Sequence, residues 1–181
     1  LRAIPNLTVF RPADANETAA AWRLAIDRKK PAVFALSRQN LPTLDVDKYP
    51  VKGGTARGGY ILTLSEEKPD IILIATGSEV HLALEAHDEL KKKGVDVRVV
   101  SMPSWELFEE QSAEYQESVL PIDVKKRVAI EAGVTLGWER YVGDEGRIVG
   151  IDRFGKSAPG GEVFKDYGFS VENIVNIALE L

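Results

Sequence analysis

The chain has 181 residues, 44% of them hydrophobic and 28% charged, enough apolar material for one buried core with room for a second, partial one. A net charge of −5 with no basic face argues against nucleic acid as a partner, and the absence of cysteine excludes a disulfide framework and a thiolate zinc site. No apolar run reaches the ~18 residues of a membrane span and no signal-peptide pattern is visible, so no membrane partner is expected, and zero cysteine suits a reducing cytoplasm.

Leu7–Phe10 reads as a short strand. The chain opens on Leu1, without methionine, with a strand already in progress, and is expected to be part of a longer protein. Asp14 offers a helix cap, and Glu17 three residues later completes the capping-box spacing. Ala15, Ala19, Trp22 and Ile26 recur at helical spacing and predict the buried face of that helix. Pro31 ends it, and Ala32–Leu36 reads as a buried strand, making a β-α-β unit with a parallel pair and a right-handed crossover. Residues 41–57 lack periodicity and carry Pro42, Pro50, Gly53 and Gly54 among charges, the composition of a linker.

The pattern then resets. Gly58–Leu64 reads as an edge strand. Asp70–Thr76 is a near-continuous apolar run, as expected for a strand covered on both faces. Ser78 is placed to cap the next helix, with Val80, Ala83, Leu84 and Leu90 as its apolar stripe and Gly94 as its stop. Val95–Ser101 is the next strand, and Pro103–Leu120 holds two short helices. Arg127–Ala132 and Arg147–Ile151 are further strands. Gly160–Tyr167 and Val171–Leu181 are helices, the second presenting Val171, Ile174, Val175 and Ala178 on one face. Alternating elements of this kind predict an α/β fold, a three-layer α/β/α domain with a mostly parallel sheet, preceded by a partial β-α-β.

Few residues stand out chemically. Arg38 follows the Pro31–Leu36 run, and in open α/β sheets ligands bind beyond the carboxyl ends of strands. Its guanidinium can grip a phosphate with two parallel charge-assisted hydrogen bonds. His81 and His87 lie six apart on one helix, on different faces, and read as surface residues with no metal role. Thr76-Gly-Ser78 joins a strand to a helix and is either an anion cradle or a plain tight turn; the turn is favoured. Glu131, at a strand end, is either catalytic, paired across an interface or an ordinary strand-end carboxylate; the ordinary reading is favoured. Trp105, Trp138 and Phe154 suit a core or an interface equally. Phe154–Pro159 lacks the spacing of a phosphate loop, and the basic runs Lys91–Lys93 and Lys125–Arg127 each read as a solvated helix end or the lead-in to a strand.

Taken in order, Phe10-Arg-Pro-Ala-Asp14, Leu36-Ser-Arg-Gln-Asn-Leu41, Ala56-Arg-Gly-Gly-Tyr60, Ile74-Ala-Thr-Gly-Ser-Glu-Val80, Val99-Val-Ser-Met-Pro-Ser104, Glu117-Ser-Val-Leu-Pro121, Val128-Ala-Ile-Glu-Ala-Gly133, Phe154-Gly-Lys-Ser-Ala-Pro159 and Asp166-Tyr-Gly-Phe-Ser-Val-Glu-Asn173 resemble transketolases of bacterial type. The resemblance spans essentially the whole chain. It implies that residues 1–40 are the end of a pyrimidine-binding domain, 41–57 a linker and 58–181 the complete C-terminal domain. It implies a two-carbon ketol transfer from a ketose phosphate to an aldose phosphate in the pentose phosphate pathway, with thiamine diphosphate and a divalent metal (Mg or Ca) as cofactors. It makes Arg38, in the Ser-Arg-Gln motif, the substrate-phosphate contact, and implies a cytoplasmic homodimer acting on sugar phosphates. The family's cofactor-binding, metal-binding and catalytic positions lie upstream of this sequence, so the chain alone is expected to be inactive and to bind neither cofactor nor metal. The unbroken Leu36–Leu41 and Phe154–Pro159 strings favour transketolase over sister thiamine enzymes such as dihydroxyacetone synthase or the deoxyxylulose-phosphate synthase. The competing reading is a non-catalytic α/β module acting in assembly or regulation.

Overall fold

The computed structural model describes residues 1–181, which form two sheets. The first is a parallel pair, β1 (Thr8–Phe10) and β2 (Ala32–Phe34), in register Thr8↔Ala32 to Phe10↔Phe34 and joined by α1 (Ala15–Arg28). Half of the expected capping box of α1 forms: Asp14 Oδ1 accepts from the Glu17 N–H at 2.7 Å, but the Glu17 carboxylate reaches back to the Ala13 N–H, one residue before the cap. The buried face is not the expected one. Trp22 and Ile26 are 51% and 68% exposed, and Ala15 and Ala19 are also open, whereas Glu17 and Ala21 are buried. Ala21 packs with Phe10 and Leu107, with Leu24, Ala25 and Phe34 beside them. A two-stranded sheet is too narrow to cover both flanks of a 14-residue helix, so the more apolar flank stays open apart from Trp22 stacking on Phe34 at 4.4 Å. For the same reason β2 is half-buried, not buried as expected.

Residues 41–57, expected as a linker, include the short helix α2 (Val51–Thr55) and bury Leu44, Val51 and Thr55. Gly58 then turns the chain at φ +76°; a Cβ there would lie 2.3 Å from Phe108 N and 2.4 Å from Ser104 O, so only glycine fits. The second sheet follows: β3 (Tyr60–Ile61), β4 (Ile71–Ala75), β5 (Val97–Ser101), β6 (Arg127–Ile130) and β7 (Arg147–Val149), in the order β3-β5-β4-β6-β7. Only the edge strand β3 runs antiparallel.

Strand alternation sorts the core into two faces. Ile71, Leu73, Ala75, Val97, Val99 and Val128 point to one side, under α3 (Glu79–Lys92) and α8 (Val171–Leu179). Ile72, Ile74, Val100 and Ala129 point to the other, toward α4 (Trp105–Glu109), α5 (Ala113–Val119) and α6 (Glu139–Val142). The result is the expected three-layer α/β/α sandwich. Ile72, Leu73 and Ile74 are fully buried, and truncating such a side chain to alanine costs about 2–5 kcal/mol. The amphipathic faces of α3 and α8 lie where the sequence puts them, with Val80, Ala83, Leu90, Ile174, Val175 and Ala178 buried and Leu84 and Val171 half-buried. Helix α7 (Gly160–Asp166) has no buried residue. No helix is long and apolar enough to cross a membrane.

Candidate functional site

Arg38 lies in coil four residues beyond the end of β2, whose alignment is fixed by the strand register and by the Ala35 N–H donating to Phe10 O at 2.9 Å. Its side chain is exposed and makes neither an ion pair nor a hydrogen bond within the chain, nor do Gln39 and Asn40 beside it. An unpaired guanidinium at a strand end keeps its donors available for an anion.

The larger sheet has its topological switch point between β4 and β6, because the connections from these neighbouring strands leave in opposite directions. The crevice there is filled by two arginines of the N-terminal segment. Arg11, just after β1, donates to Thr76 O at 3.1 Å and Thr76 Oγ1 at 2.5 Å, and pairs with the fully buried Glu79. Arg2 grips Glu131 with both terminal nitrogens, at 2.6 and 2.7 Å. Glu131 also accepts from Trp138 Nε1 at 2.8 Å and Thr76 Oγ1 at 3.0 Å, with Arg11 at 3.8 Å. Glu79 takes the remaining donors, Ser78 Oγ and the Ala132 N–H at 2.8 Å. Burial pushes the Glu131 carboxyl up, but the Arg2 hydrogen bonds and the Arg2 and Arg11 charges outweigh it and leave the group below the ordinary glutamate value. Of the three readings of Glu131, pairing across an interface is the one observed.

The Thr76–Ser78 turn is a plain turn. Its Gly77 N–H donates to Arg11 O at 3.0 Å, and the Arg11 side chain lies against Gly77, so a backbone carbonyl and a cation occupy the place an anion would need. Ser78 has helical backbone angles and sends its hydroxyl to Glu79, so it does not make the expected cap.

A second polar seam binds α1 to the larger sheet. Glu17, fully buried, accepts from Tyr60 Oη at 2.7 Å, Ser101 Oγ at 2.6 Å and the Ala13 N–H at 2.6 Å. Burial raises its carboxyl above the ordinary value despite those donors. Burial, and then the Glu17 charge, raise the Tyr60 phenol.

His81 reaches Ala13 O at 3.3 Å; His87, expected on the surface, is buried on the inner side of α3 beside Asp88 at 2.9 Å. Trp105 and Trp138 are core residues, while Phe154 is 96% exposed. Two further arginines escaped the sequence reading. Arg98, buried within β5, donates to Ser118 O, Val119 O, Glu66 O, Glu67 O and Ser65 Oγ. Arg127, in a run expected as a solvated helix end or the lead-in to a strand, opens β6 and, half-buried, donates to Val124 O, Tyr141 O, Leu120 O and Pro121 O. The available signal was an arginine inside an apolar strand run, which needs a ring of acceptors to stay there. No group of three or more His, Asp or Glu side chains converges in this chain.

Fold and site together define an α/β/α domain bolted through its switch-point crevice to a small β-α-β unit. Residues 58–170 match the family model described as the Transketolase-like TK C-terminal domain, and residues 1–43 match that of the transketolase pyrimidine binding domain. The chain is 54% identical to a transketolase of Staphylococcus epidermidis and 56% identical to one of Bacillus subtilis, each match covering 97% of this chain and 27% of the relative. Among solved structures, a Pichia stipitis transketolase in complex with sedoheptulose-7-phosphate superposes with a TM-score of 0.89 at 40% identity, over 99% of this chain and 25% of that one. The chain belongs to the transketolase family, and spans about a quarter of the length of the curated relatives it matches.

Proposed function

We propose that this chain is the closing part of a transketolase, with residues 1–40 ending its pyrimidine-binding domain, 41–57 bridging and 58–181 forming its C-terminal domain. The whole protein would move a two-carbon ketol unit from a ketose phosphate to an aldose phosphate, in the pentose phosphate pathway of the cytoplasm and as a homodimer. The observation that carries this reading is the match of both domains, in order, over residues 1–43 and 58–170. Sugar-phosphate substrates are supported by the Pichia stipitis complex. Thiamine diphosphate with a divalent metal, Mg or Ca, would supply the carbanion chemistry from sites outside these residues.

Within this chain the working group is Arg38. Its free guanidinium would hold the substrate's terminal phosphate and so fix the sugar's reacting end at a set distance from it, while the Glu131 and Glu17 seams keep the β-α-β unit against the C-terminal domain. The chain by itself would have no ketol-transfer activity. The test is transfer from xylulose 5-phosphate to ribose 5-phosphate by the full-length protein carrying this segment, with and without thiamine diphosphate, beside the 181-residue chain. Cofactor-dependent transfer by the full-length protein alone is expected. No transfer by a folded, cofactor-loaded protein, or turnover by the short chain, would overturn the reading.

A further inference from the structure

The surroundings of Arg2 have the features of a binding site as well as of an ion pair. Glu131 is 3% exposed and presents both oxygens to one planar cation at 2.6 and 2.7 Å. The Trp105 ring lies under that cation, with Arg2 Cζ 3.9 Å from its centroid. Trp138 meets Trp105 edge-on at 4.8 Å and fixes Glu131 through its indole N–H. A buried, pre-oriented carboxylate and an aromatic floor are the two elements that recognise guanidinium, by bidentate hydrogen bonding and by cation–π stacking. An ammonium ion matches neither the fork nor the plane. Arg2 Nε has no acceptor, so the site grips only the terminal nitrogens, which a free guanidinium ion possesses too.

We infer that the switch-point crevice is a guanidinium receptor, built from Glu131 and the Trp105 face, which Arg2 fills in cis and which takes an arginine side chain or free guanidinium in trans once Arg2 is withdrawn. Arg2 belongs to the N-terminal turn ahead of β1, so filling or emptying the receptor ties or frees that turn while Arg11 stays on Glu79.

The test uses the 181-residue chain and its Arg2→Ala variant, titrated with guanidinium chloride at low, non-denaturing concentration, with ammonium chloride at equal ionic strength as control. Thermal melting and tryptophan fluorescence are followed. Arg2→Ala is expected to melt several degrees below the unaltered chain, and guanidinium is expected to recover part of that deficit saturably while changing the fluorescence. The unaltered chain should show no such rise, and ammonium should not substitute. No saturable response in a folded Arg2→Ala, an equal response to ammonium, or an equal response in the unaltered chain would overturn the inference. If Arg2→Ala does not fold, arginine side-chain NMR of the unaltered chain decides. A guanidinium with slowed Nη exchange and contacts to the Trp105 ring is expected, and its absence refutes the receptor.

Discussion

Replacing Arg11 with methionine removes one cation from a cluster that holds two buried carboxylates. Glu79 is fully buried and Glu131 3% exposed, while the Arg11 side chain is 17% exposed, so solvent offers little compensation. The change deletes the Glu79 pair and both Thr76 contacts, leaving Glu79 with Ser78 Oγ and the Ala132 N–H. Removing one partner of a buried pair costs about 3–5 kcal/mol, because the surviving charge is stranded. For a chain of this size that lowers the melting point by roughly 6–20 °C, at about 2–4 °C per kcal/mol. The sign with pH is fixed. Glu131 sits below its ordinary value of 4.5, so its stabilising contribution is complete above that value and is lost as pH falls through the depressed one. Part of the depression comes from Arg11, so the deficit of Arg11→Met should narrow on acidification through that window. Urea unfolding of both chains across this range reads the difference directly. A deficit under about 1 kcal/mol at neutral pH would refute the reasoning, since it would mean that solvent or another donor already serves Glu79.

Gly58→Ala should destabilise by more than 2 kcal/mol (an order of magnitude from forced φ > 0 plus overpacking), seen as a lower urea midpoint; an unchanged midpoint would show that the Ser104–Phe108 backbone yields easily. Glu17→Gln should cost about 1 kcal/mol or less at neutral pH. The Glu17 carboxyl stands above its ordinary value, so its ionisation draws stability down as pH rises from that value; the variant should flatten this part of the pH profile, and an unchanged slope would contradict the assignment. Ile26→Gln, on the open flank of α1, should change the stability of the 181-residue chain by no more than about 0.5 kcal/mol; a much larger loss would mean that the flank is covered.

Most of the larger domain was legible in the sequence, because its signals are local. The Asp70–Thr76 run announces a strand covered on both faces, and the stripes of α3 and α8 repeat at the helical period. The open face of α1 shows the limit: periodicity identifies an apolar flank but not whether anything nearby is wide enough to cover it. α2 and α6 were missed because five- and four-residue helices give no period to detect. The position of Arg38 after a strand was legible, because the apolar run that precedes it is local, and its side chain is exposed there. The crevice cluster was not. Arg2 and Glu131 are 129 positions apart, and nothing local marks residues that meet only after two α/β units dock. The contacts of buried Arg98 and half-buried Arg127 escaped for a related reason, their partners being mostly backbone carbonyls that carry no side-chain signature.

The most direct measurement is the donor preference of Arg38→Ala in the full-length protein carrying this segment. Losing a charge-assisted contact worth about 1.5–3 kcal/mol should lower kcat/KM for a phosphorylated ketose donor by ~10–100-fold. A non-phosphorylated donor, which has nothing for the guanidinium to hold, should be used almost as before. Equal losses on both donors, or no loss on either, would contradict the account.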